Sequence, residues 1–466
     1  MKLRWISCAS LICVSATALA QSDPSLDTLN ARVVQLFTAG RFAEGLPLAA
    51  AAVNLAEHFK GPNDPGLATA LNNYGLFLAR LNRLAEAEAA LQCALRIDEA
   101  APLGARELAR DLNNLAAVLQ SSQRDSEAEE LYRRALGIDE RTLNPGHRDI
   151  ARDLNNIAAL LRNQGKNADA EPLQRRAIAI LETLQRENPA QSTSDLASAL
   201  SNFASGMPPE RREEAQALYR RALELNERNF GADHPNVAVN LNNLAESLRA
   251  SGKYEEAESL FRRALRIDER LLGPQSPTVA IVLNNLAKVL RDTSRLDEAE
   301  SLFNHALTID QANFGPIHPA VARDYKNLAK FFKVSNRSAR AEPLMERAID
   351  ILQEMERRSG RPVIEIGPAL TFQAQILADT NQFMKAEATY RRALALDEKN
   401  YGQNSAQVAK DLKGLADQLT AIKRSEEAAP LLRRADEITA ALQRPGDVKA
   451  QQSEDLPGMT DALGGI

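Results

Sequence analysis

The chain has 466 residues, 26 % of them charged and only 5 % aromatic, with a formal net charge of −5. Alanine, leucine, glutamate and arginine dominate, and no stretch alternates Val, Ile or Thr with polar residues, so the composition disfavours sheet and favours helix. The mildly acidic balance also argues against general binding of nucleic acid or of anionic membranes.

At the N-terminus, Lys2 and Arg4 precede an uncharged, largely apolar run from Ile6 to Leu19. Ala18-Leu19-Ala20 is a small-x-small cleavage site ahead of the polar Gln21-Ser22-Asp23-Pro24. This pattern predicts a signal peptide over residues 1–20 and a bacterial mature chain that is periplasmic or secreted. A retained membrane anchor is the competing reading, although the run is short for a span of about 20 residues. Cys8 and Cys13 lack the preceding residues of a lipoprotein signal. Cleavage would leave Cys93 without a disulfide partner and shift the formal charge from −5 to −7. No second apolar run approaches membrane length, so no stable membrane insertion is expected after cleavage.

One phrase recurs along the rest of the chain. It reads Leu112-Asn113-Asn114-Leu115-Ala116, Leu154-Asn155-Asn156-Ile157-Ala158, Leu241-Asn242-Asn243-Leu244-Ala245 and Leu283-Asn284-Asn285-Leu286-Ala287. Weaker copies start at Leu71, Leu200, Tyr325, Leu370 and Leu412. The marker position falls at 73, 114, 156, 202, 243, 285, 327, 372 and 414, a step of about 42 residues with two longer intervals. Arg41-Phe42-Ala43-Glu44 matches Arg83-Leu84-Ala85-Glu86 one period later, so a first repeat starts near Ser25 and residues 21–444 hold about ten repeats.

Each unit reads as two helices. Leu241, Leu244, Ala245 and Leu248 fall at i, i+3, i+4 and i+7, a single helical stripe. A turn at Ser251-Gly252-Lys253 leads into a second helix from Tyr254, carrying Ala257, Leu260, Phe261, Ala264 and Leu265. Gly273 ends it as a left-handed cap, and Gly61, Asn144, Gly231, Gly315 and Gly402 hold the matching position. Pro235 and Pro319 then open the next first helix, where no amide donor is needed.

These residues resemble the tetratricopeptide repeat: a small residue on the first helix (Ala245) followed by Tyr254, Ala257, Phe261 and Ala264. The long period, the Asn-Asn-Leu-Ala phrase and the Gly…His-Pro loop are most similar to the repeats of kinesin light chains. The resemblance implies an all-α, right-handed superhelical solenoid of about ten antiparallel helix pairs. It also implies a protein-binding scaffold, with first helices lining a concave groove.

Two segments depart from the pattern, residues 187–212 and 356–368. In the first, Gly206-Met207-Pro208-Pro209 interrupts a first helix; a bend and an ordinary loop are both open. Residues 445–466 lose the periodicity and are expected to be disordered.

Nothing in the sequence points to catalysis, a cofactor or a metal. His147, His234 and His318 share one inter-repeat position and so lie whole repeats apart; His58 and His305 are isolated. No phosphate loop or nucleophile elbow is present. The Arg-Arg pairs at 133–134, 175–176, 220–221, 262–263, 391–392 and 433–434 read as helix-surface ion-pair partners, because acids precede many of them by four residues.

The candidate binding residues are a row of asparagines: Asn73, Asn114, Asn156, Asn202, Asn243, Asn285 and Asn327. If the Leu241 stripe faces the core, Asn243 points nearly opposite, since successive helical residues turn by about 100°. The row either contacts a bound backbone, whose donors and acceptors Asn can both satisfy, or bridges neighbouring repeats. Arg110, Arg152, Arg323, Lys326 and Lys330 lie beside it and make the groove basic, suited to an acidic segment or a C-terminal carboxylate. The expected function is a non-catalytic scaffold that holds an extended partner protein or peptide outside the cytoplasm. The alternative is an assembly subunit that associates through its outer surface or with itself.

Overall fold

A computed structural model describes residues 26–38, 41–100, 105–360 and 362–442. The expected signal segment 1–20 and tail 445–466 lie outside the described residues. Within them the chain forms twenty α-helices in two compact units, each a run of helix pairs.

The first unit contains α1 (Leu26–Thr38), α2 (Phe42–Lys60), α3 (Pro65–Arg80), α4 (Leu84–Ala100), α5 (Ala105–Ser121), α6 (Asp125–Thr142), α7 (Arg148–Asn163) and α8 (Asn167–Glu187). The second contains α9 (Pro189–Ser205), α10 (Arg212–Phe230), α11 (Pro235–Arg249), α12 (Tyr254–Leu272), α13 (Pro277–Asp292), α14 (Leu296–Phe314), α15 (Pro319–Val334), α16 (Ser338–Ser359), α17 (Ile366–Asp379), α18 (Phe383–Tyr401), α19 (Ala406–Ala421) and α20 (Ser425–Leu442). Odd-numbered helices are the first of each pair and even-numbered the second. The fold is all-α, as the periodicity predicted.

The core follows the predicted stripe. Leu241, Leu244, Ala245 and Leu248 on α11 are buried, and Ala257, Phe261 and Ala264 on α12 meet them. Alanine at these crossings lets the two helices approach at the close end of the usual 8–10 Å range. First helices also approach the next first helices: α3 nears α5, and α9, α11, α13 and α15 follow one another. Side chains of successive first helices can therefore meet directly.

The helix ends explain the register. Pro65, Pro235, Pro277 and Pro319 occupy the first turn of a first helix, with Asp64, His234, Ser276 and His318 as N-caps. Second helices end on Gly61, Gly231, Gly273, Gly315 and Gly402, with φ of 76 to 91° and ψ of 153 to 176°. That region is open essentially to glycine alone, and it differs from the left-handed helical region that asparagine tolerates. Asn144 therefore does not act as the expected cap. Its helix α6 leaves through Leu143 in extended conformation, with φ −113° and ψ 162°, and Asn144 itself keeps a negative φ.

The turns inside each repeat are different. Asn82, Gln123, Ser294, Asn336, Asn381 and Lys423 sit at φ of 57 to 63°, and Gly252 at 75° takes the same place. Where the sequence predicted an interruption, α9 ends at Ser205, and Pro209–Arg211 form a 3-10 turn that feeds α10. The proline segment thus becomes the turn between the two helices.

Candidate interaction face

The asparagine row lies on the first helices. Asn114 is buried; Asn73, Asn156, Asn243, Asn285 and Asn327 are half-buried; Asn202 is exposed. Four of them reach back one repeat. Asn114 Nδ2 donates to Asn72 Oδ1 at 2.9 Å and Asn156 Nδ2 to Asn113 Oδ1 at 3.3 Å. In the second unit, Asn285 Nδ2 donates to Asn242 Oδ1 at 2.9 Å and Asn327 Nδ2 to Asn284 Oδ1 at 3.1 Å. The acceptor is each time the first asparagine of the preceding Asn-Asn pair, buried against its own helix.

Those first asparagines were not singled out by the sequence reasoning, yet they carry much of the junction. Asn113 also donates to Asp153 Oδ1 at 2.9 Å, and Asn284 to Asp324 Oδ1 at 2.8 Å. The doublet was the available signal: one amide turns inward to the next repeat, and its neighbour turns to the previous one.

The cations beside the row divide into two sets. Arg110 binds Asp111 at 3.0 Å, and Arg152 binds Asp149 and Asp153 at 3.0 and 3.1 Å. Arg323 binds Asp310 at 2.8 Å and Asp324 at 3.1 Å. These three guanidiniums already serve buried carboxyls between repeats. Lys326 and Lys288 are different: both are half-buried, and no carboxylate among the described residues lies within ion-pair distance of either. Burial pushes both ammonium groups below the usual lysine range. Lys288 Nζ donates to Asn285 Oδ1 at 3.1 Å. Arg249, Arg291 and Arg323 surround it as like charges, with Glu246 opposing. Lys326 has exposed Lys330 as a like charge and Glu365 as the opposing one. The first-helix face of α13 and α15 therefore carries positive charge held out of water.

The second helices bear the Arg-Arg pairs, and in most of them each member has its own partner; Arg220 instead reaches Glu256 on the next second helix at 3.1 Å. The first arginine pairs within its helix, as Arg133 with Glu129 and Arg262 with Glu258. The second pairs with the previous second helix, as Arg134 with Glu99, Arg176 with Glu140, Arg263 with Glu227 and Arg434 with Glu398, at 2.6 to 2.7 Å. Turn arginines add further inter-repeat links: Arg124 joins Glu88 to Glu127, and Arg295 joins Glu258 to Glu298.

The three inter-repeat histidines are helix caps. Nδ1 of His147, His234 and His318 accepts from the backbone N–H of Asp149, Asn236 and Ala320 at 3.1 to 3.2 Å. His234 and His318 stack on Phe230 and Phe314 with ring centres 4.2 and 4.1 Å apart. Burial pushes both below the usual histidine range. Cys93 is buried, and no helix among the described residues is long and apolar enough to cross a membrane.

Helix pairs stacked through bridging amides define a solenoid of the interaction type. The tetratricopeptide-repeat family model matches residues 25–100, 107–183, 210–270 and 278–354, and a second model of the same repeat matches 367–400. The chain belongs to the tetratricopeptide-repeat family. Among solved structures it is similar to a Rap protein complexed with competence and sporulation factor, at 14 % identity and a TM-score of 0.51, covering 81 % of this chain and 99 % of that one. It is also similar to BtubC (BKLC) of P. vanneervenii, at 23 % identity and a TM-score of 0.43, covering 49 % and 90 %. A kinesin-light-chain-type repeat protein of Podosopora anserina matches at 21 % and 0.40, covering 46 % and 100 %. A comparison with curated proteins gives no match. The repeat serves in general as a non-catalytic scaffold, and its proteins bind other proteins or peptides.

Proposed function

We propose that this protein is a non-catalytic, exported scaffold that holds an extended partner segment along the first-helix face of its repeats. In the second unit that segment carries an acidic stretch or a C-terminal carboxylate, seated over α13 and α15. The observation behind this reading is the pair Lys288 and Lys326, whose charge is partly desolvated and which form no ion pair among the described residues, with only Glu246 and Glu365 opposing them from beyond ion-pair distance. A carboxylate arriving there gains charge-assisted hydrogen bonds from groups that have already lost much of their hydration. The Rap structure, whose chain is complexed with competence and sporulation factor, supports the idea that a repeat array of this fold accommodates a ligand. Export rests on Lys2, Arg4, the apolar run and Ala18-Leu19-Ala20.

The test uses an array of acidic and free-carboxylate peptides probed with the full chain and with the Lys288→Gln/Lys326→Gln variant. Peptides selected by the wild-type chain should bind the variant at least about tenfold more weakly, since each lost charge-assisted bond contributes about 1.5–3 kcal/mol. Their affinity should also fall with added salt. Undiminished binding by the variant would remove the site. N-terminal sequencing of the exported chain should begin at Gln21.

An assembly role has one specific observation in its favour. Leu271, Leu272 and Phe314, at the ends of second helices, stay largely exposed. Sedimentation at increasing concentration separates the two roles, because self-association predicts a rising mass without any peptide.

A further inference from the structure

A second periodic feature lies at the repeat junctions and involves no candidate binding residue except the arginines. At five junctions within the two units, a second helix presents a residue that meets one thirteen or fourteen positions later on the next first helix. Four junctions pair aspartate with aspartate: Asp98 with Asp111, Asp139 with Asp153, Asp310 with Asp324, and Asp397 with Asp411. All eight are between 0 and 5 % exposed. Within each pair the carboxyls are close enough to hydrogen-bond one another.

Their surroundings do not neutralise two charges. Arg110 faces the first pair, with Glu107 adding negative charge. Arg152 faces the second, accompanied by Asp149, His147, the Asn113 amide and the Tyr132 ring. Arg323 and the Asn284 amide face the third. The fourth has no arginine. Asp411 accepts from the Thr371 hydroxyl at 2.6 Å and the Gln407 amide at 3.3 Å; Lys410 lies on the same helix, and Tyr390, Tyr401 and Glu365 complete the surroundings. Both oxygens of Asp139 and of Asp397 are buried without a hydrogen-bond partner among the described residues, as is one oxygen of each other member. Asp397 also packs on bare backbone: a Cβ at Gly367 would lie 1.6 Å from its Oδ1.

The chain itself carries a neutral version of this position. At the equivalent junction Asn226 Nδ2 donates to Asn240 Oδ1 at 2.9 Å, a neutral pair with one internal hydrogen bond. A carboxylic acid beside a carboxylate has the same shape and the same single bond. Two bare carboxylates in contact, shielded from water, repel instead.

We infer that each of the four aspartate pairs shares one proton and that releasing it loosens the junction, so the stacking of repeats is latched by protons. Burial and the neighbouring acid push Asp111 and Asp153 up to about 7, and Asp411 up to about 8. A carboxyl raised in the folded state stabilises fully below its unfolded value and loses that contribution as pH rises through the folded value. The window therefore runs from the ordinary aspartate range near 4 to about 8.

The test compares thermal melts of the full chain with those of the Asp111→Asn/Asp153→Asn/Asp324→Asn/Asp411→Asn variant from pH 5 to 9. Asparagine supplies the internal hydrogen bond without a titratable proton. The wild-type Tm should fall by several degrees relative to the variant across this range, and Asp411→Asn alone should remove part of the difference. Parallel curves would overturn the inference. Infrared spectra of the folded wild type at pH 6 give a measurement that needs no variant. Protonated carboxylic-acid carbonyl bands should be present there and vanish above pH 9, and a spectrum of carboxylates only at pH 6 overturns the latch.

Discussion

At the scale of single residues, the helix ends separate two kinds of left-handed backbone. Gly360 after α16 has φ 65° and ψ 12°, a conformation that asparagine adopts, whereas Gly273 has φ 85° and ψ 153°. Nothing lies within 4 Å of a Cβ at either site, so only the backbone decides the outcome of a substitution. Gly273→Asn should lower stability by about 1–3 kcal/mol. Gly360→Asn should cost clearly less, and paired thermal melts check the order. The histidine caps make a second residue-scale prediction. Nδ1 of His234 and His318 must stay unprotonated to accept its hydrogen bond, and burial lowers both groups. A lowered base contributes stability that is present above its unfolded value near 6.5 and is lost as pH falls through the folded value. The variant His234→Asn/His318→Asn keeps capping oxygens that do not titrate. Its Tm should therefore rise relative to wild type as pH drops from 7 to 5, and a constant difference would show that the rings do not cap.

At the scale of helices, the small residues at each crossing set the spacing of the pair. Ala257 is fully buried between α11 and α12. Ala257→Leu should destabilise by about 1–3 kcal/mol through overpacking, read as a lower Tm. The helix pairs were legible because their signals are local and recur: the apolar stripe, Pro at the first turn and Gly at the end. The cap at Asn144 was not, because one-letter equivalence between Gly and Asn holds for one backbone region and not for the other. The buried aspartates were missed for a different reason. An aspartate flanked by charge, as in Ile138-Asp139-Glu140 or Arg152-Asp153-Leu154, reads as surface when each helix is taken alone. Only the pairing of one helix with the next turns it inward. The recurrence of Ile-Asp or Leu-Asp thirteen or fourteen residues before Asp-Leu or Asp-Tyr was the sequence signal that could have revealed it.

At the scale of the whole molecule, acid and base act on different parts of the same fold. The histidine caps weaken as pH falls below about 6.5, whereas the aspartate pairs lose their contribution as pH rises from about 4 to about 8, so the two sets act in opposite directions over overlapping windows. The asparagine row also acquires a different standing at this scale. Changing Asn285 or Asn327 to alanine would break a bridge between repeats as well as any contact with a partner. Lys288 and Lys326 are the cleaner probes of binding, because neither carries an inter-repeat hydrogen bond.

The junction pairs have a further consequence for how such a chain can lengthen or shorten by copying its own units. Most inter-repeat partners lie about one period apart, so a duplicated unit arrives with its ion pairs and amide bridges already matched. The junction position is not so uniform: six of the described junctions include Asp with Asp four times, Asn226 with Asn240 once, and Asp268 opposite Val282 once. It therefore works as a key. A segment cut before α5 and rejoined before α15 restores an Asp–Asp lock, whereas one that joins α10 to α13 sets buried Asn226 against Val282 and leaves its amide with no mate. Neighbours in this array are interchangeable only within a lock type, and that restricts which internal duplications and deletions yield a folded descendant.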